Sequence, residues 1–242
     1  MPKPQEKVFE QKTKKILQYL KSPQRYDPHF LPRPFFLEFT GSPSAGKTTT
    51  ITELDKFLRR YGFRVLRPQE GAEVIRHISR TTPLYNLRTG LYALCQLIDL
   101  AQSHLYDVVI FDRCIFDTFG WMMYWESKAQ LEEWERRENQ KFFLSRFWVD
   151  NIDACYIMTC RPEIAMEREL RIALSQKLGE TTNPQTMRKL VDRYKVTYQT
   201  LSPRFPQLHF LDTSDLDEQT MVETIAMEIL NTLEKRCSKK ET

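Results

Sequence analysis

The stretch "FTGSPSAGKTTT", residues 39–50, decides the fold of this chain. Gly41 is followed after four residues by Gly46-Lys47-Thr48, the spacing of the phosphate-binding pattern G-x-x-x-x-G-K-[ST]. The pattern lies between an apolar run at 35–40 and a helical pattern, which is the strand–loop–helix context that such a loop requires. The predicted nucleotide-binding residues are therefore consecutive: Gly41, Ser42, Pro43, Ser44, Ala45, Gly46, Lys47, Thr48 and Thr49.

Each part of this loop has a chemical role toward a nucleotide. Backbone N–H groups of the loop and the N-terminus of the following helix hold anionic phosphates. The Lys47 ammonium group faces the β- and γ-phosphate oxygens, and the Thr48 hydroxyl is a ligand for Mg²⁺. ATP and Mg²⁺ are thus the predicted cofactors, and GTP remains open as the donor.

Outside the loop, short apolar runs alternate with helical patterns. Strands are predicted at 35–40, 63–68, 107–112, 154–160 and 208–214, with helices after Lys47, at 71–80 and 88–105, through much of 116–150, twice within 162–201 and near 216–235. Strands separated by helices form parallel pairs. The sequence therefore predicts an α/β fold of the P-loop NTPase class, with a five-stranded, mainly parallel sheet flanked by helices.

The N-terminal residues do not follow the alternation of strands and helices. Residues 5–21 place an apolar stripe on one side of a helix, and four prolines at 22–34 indicate a linker. We therefore expect an N-terminal amphipathic helix and linker at 1–33 and a P-loop domain at 34–242, with a lid at about 161–185. The helix stripe is predicted to bind a partner.

Composition limits the environment and the partners. With 41% hydrophobic and 28% charged residues the chain is typical of globular proteins, and its net charge of +4 does not favour nucleic acid. Five scattered cysteines fit a reducing compartment better than a disulfide framework. Neither an apolar run of spanning length nor an apolar centre near the N-terminus is present, so we expect no membrane partner and a cytoplasmic location.

The third predicted strand ends in Asp112-Arg113. An acid at this strand end can complete a Mg²⁺ site opposite Thr48, and the adjacent arginine can reach the transferred or the accepting group. Both residues are therefore catalytic candidates, with Asp112 and Thr48 as metal ligands and Arg113 also as a substrate ligand. A strand-ending salt bridge is the alternative interpretation.

Glu70 follows the second predicted strand, in "LRPQEGAE". In a doubly wound sheet this strand end faces the ligand crevice. If the acceptor is a hydroxyl group, Glu70 is a candidate base, whereas with a phosphate acceptor it would only bind substrate. Glu73 is the nearest competing carboxylate, and a solvated turn at Glu70 remains open.

Arginines follow the fourth predicted strand in "RPEIAMERELR", residues 161–171. Arg168 and Arg171 are three residues apart and share a helix face. On a lid, they would neutralise charge on a transferred phosphoryl group and exclude water. A solvated face paired with neighbouring glutamates is equally open.

Together these motifs resemble the thymidylate kinase and deoxynucleoside kinase branch of P-loop kinases, from about residue 35 to 235. The resemblance rests on the phosphate loop, "FDRCIFDTFGWMMYW", "CYIMTCRPEIAMERELR" and "NPQTMRKLVDRYKVTY". The chain is also similar to AAA-type nucleoside kinase-like ATPases, through Glu70 and "AEVIR". The resemblance implies that Arg113 contacts the acceptor, that Arg168 and Arg171 act from a lid, and that "LDTSD" lies near the donor base.

Two further substrate-binding candidates carry alternatives. The resemblance implies that Gln96 supplies a polar group to the acceptor, although a satisfied core glutamine fits equally well. Phe116 belongs to an aromatic cluster that can stack on a planar base or fill the core. Residues 68–71 read Pro-Gln-Glu-Gly where thymidylate kinases have Glu-Pro-Gly-Gly, and 112–114 read Asp-Arg-Cys where deoxynucleoside kinases have E-R-S, so neither acceptor is assigned.

The leading hypothesis is an ATP- and Mg²⁺-dependent phosphotransferase that acts on a nucleoside, a nucleoside monophosphate or a related small acceptor. One alternative is a nucleotide-binding regulatory switch with slow NTP hydrolysis, although the guanine-reading motif N-K-x-D is missing. A polynucleotide 5′-kinase is the other, and the near-neutral charge gives it little support. A homodimer remains open.

Overall fold

The structure is a computed structural model that describes residues 4–20, 33–172 and 183–238. Its helices are α1 (Pro4–Leu20), α2 (Lys47–Arg60), α3 (Gly71–Val74), α4 (Pro83–Ala101), α5 (Ile115–Ser127), α6 (Glu133–Phe143), α7 (Arg146–Val149), α8 (Pro162–Ile172), α9 (Pro184–Leu201) and α10 (Glu218–Ser238). Its strands are β1 (Phe35–Gly41), β2 (Val65–Leu66), β3 (Val108–Asp112), β4 (Ile152–Thr159) and β5 (Leu208–Asp212). Within these ranges no helix has the length and apolar content to cross a membrane.

The five strands form one sheet in the order β2-β3-β1-β4-β5, and every neighbouring pair is parallel. The strand that leads into the phosphate loop, β1, therefore lies in the centre of the sheet. Because parallel strands end on the same edge, the ends of β1 and β3 lie side by side, with Phe39 paired to Asp112. The predicted α/β fold and sheet are confirmed.

Both faces of the sheet are covered, because successive side chains of β1 point alternately into two different cores. Phe35, Leu37 and Phe39 point into a core shared with α1, α2 and α10. Phe36 belongs to a second core, built with α4, α5 and α9. A parallel sheet buried on both faces needs apolar residues on both sides of its strands, so the position of Glu38 inside β1 is an exception.

Two predicted elements differ from the structure near the second strand end. Instead of 63–68, β2 comprises only Val65 and Leu66, because it is an edge strand and Pro68 has no N–H group for a sheet bond. The helix predicted at 71–80 ends at Val74, and the Thr82 hydroxyl donates to the carbonyl of Ser79, a local bond that competes with helix formation. As a result α4 begins at Pro83, five residues before the predicted start.

The predicted N-terminal helix is present as α1, but its apolar stripe is already covered. Phe9, Thr13 and Ile16 are buried, and α1 packs against α10 and joins the core of the P-loop domain. Lys12 and Lys15 also donate to the Glu234 carboxylate, at 2.6 and 2.7 Å. The stripe expected to bind a partner therefore binds this chain, while residues 22–32 of the predicted linker lie outside the described residues.

Candidate active site

The phosphate loop turns where the sequence places its two glycines. Gly41 has φ 129°, and a Cβ there would lie 1.8 Å from the carbonyl oxygen of Met158 on β4. Gly46 has φ 86° and immediately precedes α2. Only glycine adopts these conformations at low cost, so the loop can bend tightly and present its N–H groups at the N-terminus of a 14-residue helix.

Lys47 is held over this loop by backbone carbonyl groups. Its Nζ atom donates to the carbonyl oxygen of Ser42 at 2.6 Å and to that of Gly41 at 3.2 Å. Burial, followed by the charge of Arg113, lowers the pKa of Lys47 to about 8. A bound polyphosphate would favour the charged form of Lys47, since an opposite charge nearby raises the pKa of an amine.

A cavity of about 750 Å³ opens in front of the loop, and we call it the P-loop cavity. It is lined by Ser44, Gly46, Lys47, Thr48 and Thr49, by one face of α8 and by the beginning of α10. Of the other predicted loop residues, Ser42 and Ala45 are buried. The volume lies within the range of about 300–1,000 Å³ that is common for small-molecule sites.

Both predicted lid arginines line the P-loop cavity. Arg168 donates to the carbonyl oxygens of Ser44 at 3.2 Å and Thr213 at 2.8 Å, so it joins α8 to the loop and to the end of β5. Arg171 has no carboxylate partner among the residues that the structure describes. Arg161, by contrast, pairs with Asp215 at 2.7 Å rather than with a neighbouring glutamate. Residues 173–182 of the predicted lid lie outside the described ranges.

Thr48 and Asp112, the predicted metal ligands, lie next to each other. The Thr48 hydroxyl donates to Oδ2 of Asp112 over 3.4 Å, from the first turn of α2 to the end of β3. A hydroxyl and a carboxylate are hard oxygen ligands of the kind that Mg²⁺ takes, with water and phosphate oxygens completing its octahedron. The donor set therefore fits Mg²⁺.

Arg113 is fixed by a network of buried polar groups. Its φ of 66° turns the chain sharply after β3, and its Nη1 atom donates to Oδ1 of Asp117 at 2.8 Å and to the hydroxyl of Tyr194 at 3.2 Å. The hydroxyl groups of Tyr194 and Thr40 donate to the same Asp117 oxygen. On its other side, Nε of Arg113 lies 3.5 Å from Oε1 of Glu70. The guanidinium group is thus held between two carboxylates.

The helix that carries Asp117 is anchored by Glu38, the buried carboxyl group of β1. Glu38 accepts hydrogen bonds from the N–H groups of Cys114 at 2.9 Å, Asp117 at 2.8 Å and Phe116 at 3.2 Å. These are the N–H groups that the start of α5 cannot bond within the helix. Burial raises the pKa of Glu38 to about 8, while the three hydrogen bonds act in the opposite direction.

A second cavity, of about 280 Å³, lies beside this network, and we call it the Arg113 cavity. Glu70, Asp112, Arg113 and Asp117 line it together with α4 residues and the first turns of α5. Glu70 occupies the N-cap position of α3, but its side chain makes no capping bond to that helix, and its carboxyl group lines the cavity instead. Burial raises the pKa of Glu70, and the charge of Arg113 opposes that increase.

Helix α4 contributes polar groups to the Arg113 cavity. The Nε1–H group of Trp125 donates to Oδ1 of Asn86 at 2.8 Å, which orients the amide. Thr89 lines the same wall, and the hydroxyl of Tyr85 is buried there without a partner among the described residues. At Gly90 a Cβ would lie 2.3 Å from the Thr118 hydroxyl, so only glycine lets α5 approach this closely.

The structure brings most of the sequence candidates together and separates two of them. Glu70, Asp112 and Arg113 meet at the Arg113 cavity, and the loop residues and lid arginines meet at the P-loop cavity. Phe116 is fully buried and packs edge-on against Phe205, so it fills the core. Gln96 lies almost three turns beyond Asn86 on α4 and is not among the residues lining either cavity. The competing carboxylate, Glu73, is exposed.

Several residues of the candidate site were not predicted from the sequence. Asp117 follows Arg113 by four residues, a spacing at which opposite charges pair on a helix. This spacing could have predicted the contact. Tyr194 is 81 residues from Arg113, and no local pattern connects them. Asn86 lies before the start of the helix predicted at 88–105, and Thr89 lies inside that helix but was not singled out.

Comparisons with known proteins agree with this architecture. A family model described as "AAA domain" matches residues 37–183, more than half of the chain, from β1 to the beginning of α9. The matched range includes the phosphate loop, Glu70, Asp112 and Arg113. No curated protein matches the chain in sequence.

Two solved structures of deoxyadenosine kinase from M. mycoides are similar in fold. One contains bound dCTP, with a TM-score of 0.57, and the other contains the products dCMP and a flexible dCDP, with a TM-score of 0.56. Each is 17% identical to this chain, and the alignment covers 82% of this chain and 100% of that chain. At this identity the likeness establishes a shared fold, which agrees with the P-loop fold expected from the sequence.

Proposed function

The chain belongs to the AAA domain family, and from that premise we propose that it transfers the γ-phosphoryl group of ATP to a hydroxyl group of a nucleoside. One observation carries this proposal. Thr48 lines the P-loop cavity, Asp112 lines the Arg113 cavity, and their oxygen atoms are 3.4 Å apart. Two small-molecule cavities that adjoin at a candidate metal site are what a transfer between two bound substrates requires.

On the donor side, the chain supplies positive charge around the phosphates. The loop N–H groups and Lys47 would hold the β- and γ-phosphate oxygens, and Arg171 would face the same cavity from α8. Thr48 and Asp112 would hold Mg²⁺, which supplies further charge neutralisation on those oxygens when it is bound. Arg168 keeps α8 docked through Ser44, so the lid arginines act from a fixed helix.

On the acceptor side, Glu70 is the proposed general base. As the acceptor oxygen bonds to the γ-phosphorus and the bond to the departing ADP oxygen breaks, the Glu70 carboxylate takes the hydroxyl proton. Its raised pKa brings its basicity nearer to neutral pH, which strengthens a base. Arg113 lies 3.5 Å from it and would bind the acceptor or the phosphoryl group in transit.

The charges of the Arg113 cavity favour a neutral acceptor. Three carboxyl groups line it, those of Glu70, Asp112 and Asp117, and only two guanidinium groups do, those of Arg80 and Arg113. Because Arg113 is already paired with Asp117, a nucleoside monophosphate would bring its phosphate toward an excess of negative charge. A nucleoside avoids this, and the likeness to a deoxyadenosine kinase supports the same substrate class.

The two alternatives have less support. A volume of about 280 Å³ suits one small molecule, and a polynucleotide end would also need a basic groove that follows its backbone. A regulatory switch would have no use for the Arg113 cavity, and the helix stripe that was predicted to bind a partner is buried against α10.

The test is transfer of labelled γ-phosphate from ATP with Mg²⁺ to a panel of nucleosides, nucleoside monophosphates and a short oligonucleotide. We expect labelled nucleoside monophosphate, and we expect Lys47→Ala to reduce its formation by about 10³-fold. Glu73→Gln is the matched control, because this exposed glutamate lies three residues from Glu70. Transfer only to monophosphates would overturn the nucleoside assignment, and phosphate release without transfer would overturn the kinase.

A further inference from the structure

A third cavity lies beside α6 and α9, and we call it the α6–α9 cavity. Its volume of about 510 Å³ is in the range of about 300–1,000 Å³ that is common for small-molecule sites. It is lined by Phe119 of α5, by one side of α6, by the residues that join α6 to α7, and by the C-terminal end of α9. None of these lining residues belongs to the P-loop cavity or the Arg113 cavity. The α6–α9 cavity is therefore separate from both substrate sites of the proposed reaction.

Every charged side chain that lines the α6–α9 cavity is cationic. Arg137 and Lys141 are four residues apart on α6, so they lie on the same side of that helix. Arg146 is the first residue of α7, and Arg204 follows the end of α9 by three residues. Among the described residues, no aspartate or glutamate lines this cavity. Four cations around one concavity create a positive potential, which favours a ligand with several negative charges.

Three of the four cations form ion pairs with carboxylates that do not line the cavity. The pairs are Arg137–Glu133 at 2.5 Å, Lys141–Glu138 at 2.7 Å and Arg146–Asp150 at 3.4 Å. In each pair both side chains are more than half exposed, so water screens the attraction and a ligand phosphate can replace the carboxylate at little cost. Arg204 forms no ion pair with the residues that the structure describes, and its guanidinium carbon lies 5.1 Å from the ring centre of Phe205.

The floor of the α6–α9 cavity is apolar. Phe119, Leu144 and Leu201 line it and are each more than nine-tenths buried. Beside them, Gln140 is held in place, because its Nε2 atom donates to the carbonyl oxygen of Phe119 at 3.1 Å and its Oε1 atom accepts from Arg136 at 2.7 Å. An inorganic anion would leave this floor uncovered, whereas a ligand with both phosphates and a planar ring would match the cations and the floor together.

We propose that the α6–α9 cavity is a second nucleotide site, which binds a nucleoside diphosphate or triphosphate apart from the P-loop cavity. The phosphates face Arg137, Lys141, Arg146 and Arg204, and the base covers the apolar floor. A single phosphate would engage only part of this set of cations, so a polyphosphate chain fits the charge better than a monophosphate does.

The first test counts bound nucleotide by equilibrium dialysis with radiolabelled ATPγS and Mg²⁺ at concentrations up to about 100 µM. We expect two equivalents per native chain, and we expect Arg204→Glu to weaken one of them by at least about tenfold, because it turns an attraction for phosphate into a repulsion. Lys195→Glu is the matched control, since it makes the same change of charge at an exposed position of α9 outside the three cavities. Native binding unaffected by Arg204→Glu, or an equal effect of the two variants, would overturn the proposal.

Lys47→Ala separates this site from the proposed kinase site. The equivalent held in the P-loop cavity should weaken in Lys47→Ala, while the equivalent that depends on Arg204 should keep its native affinity. A single native equivalent that responds to Arg204→Glu and not to Lys47→Ala would count against the kinase and support the second site. A single equivalent that responds only to Lys47→Ala would do the reverse.

The second test identifies the ligand class by competition for the Arg204-dependent equivalent in the Lys47→Ala protein. Inorganic triphosphate should displace ATPγS at least about tenfold less well than ATP does, because it leaves the apolar floor uncovered. AMP should also be at least about tenfold weaker, because it carries a single phosphate group. Inorganic triphosphate as effective as ATP would overturn the nucleotide assignment, and AMP as effective as ATP would overturn the polyphosphate assignment.

Discussion

The P-loop cavity is formed largely by one continuous loop and the helices beside it, whereas the walls of the Arg113 cavity come from separate parts of the chain. Backbone N–H groups and one lysine dominate the first. In the second, Arg113 is held by Asp117 and Tyr194, which lie on α5 and α9. A backbone cradle tolerates few changes in geometry, while a cavity of side chains can be altered one group at a time.

This difference separates the roles of the two halves in the proposed reaction. Any nucleoside triphosphate presents the same phosphates to the P-loop cavity, so changes there should affect all acceptors alike. The Arg113 cavity should instead determine which acceptor reacts, because its shape and charge are specific to this chain. The following substitutions test that division.

The largest effect is expected from Lys47. We expect Lys47→Ala to lower kcat by about 10³-fold with every acceptor, because it removes the cation facing the transferred phosphoryl group. Steady-state transfer assays with two different nucleosides measure this. Lys56→Ala, which removes an exposed lysine of the same helix, is the control and should leave kcat unchanged. A loss that differs more than tenfold between acceptors would contradict the division.

Glu70→Gln should lower kcat by about 10²- to 10³-fold while leaving the KM for ATP nearly unchanged. The carboxylate is the form that accepts a proton, so native activity should rise with pH through the pKa of Glu70. Since burial raises that pKa, this limb should lie above the ordinary glutamate value. Arg113 opposes the increase, so Arg113→Gln should move the limb to still higher pH.

The pH profile also separates a base from a binding group. If Glu70 only binds the acceptor, Glu70→Gln should raise the acceptor KM and leave the acid limb in place. The Glu73→Gln control should match the native profile in both respects.

Asp117→Asn should produce a smaller loss, about 10- to 100-fold in kcat/KM for the acceptor. The substitution weakens the ion pair that fixes Arg113 without removing the guanidinium group itself. Tyr194→Phe removes a single hydroxyl group from the same network and should cost only a few-fold. If Asp117→Asn lowered kcat/KM for ATP by the same factor, the network would support the P-loop cavity as well.

The sequence predicts the P-loop cavity better than the Arg113 cavity, because the first is formed largely by consecutive residues. The loop, the parallel sheet and the strand-end residues Asp112 and Arg113 were predictable, because each depends on a few consecutive residues. The contact of Arg113 with Tyr194 was not, because it depends on how α9 packs against α5. The family resemblance assigned Gln96 to the acceptor. In the structure, Asn86 and Thr89 of the same helix line the Arg113 cavity, and Gln96 does not.

The smallest effect on catalysis is expected at Glu38, which touches neither cavity. Near pH 5, Glu38→Gln should lower the free energy of unfolding by about 1–3 kcal/mol, because an amide cannot accept from all three N–H groups at the start of α5. Activity should fall only a few-fold, through a less fixed Asp117. Glu53→Gln, an exposed change on α2, is the control and should alter neither quantity.

The dependence on pH makes this prediction specific. The pKa of Glu38 is raised from 4.5 to about 8, so between these values the folded protein keeps a proton that the unfolded chain has lost. The native free energy of unfolding should therefore fall as the pH rises from about 4.5 to about 8, and Glu38→Gln should lack this slope. The cost of the substitution is then greatest near pH 5 and least near pH 8 in denaturant titrations. A cost independent of pH would mean that Glu38 is ionised throughout, with its three N–H donors outweighing burial.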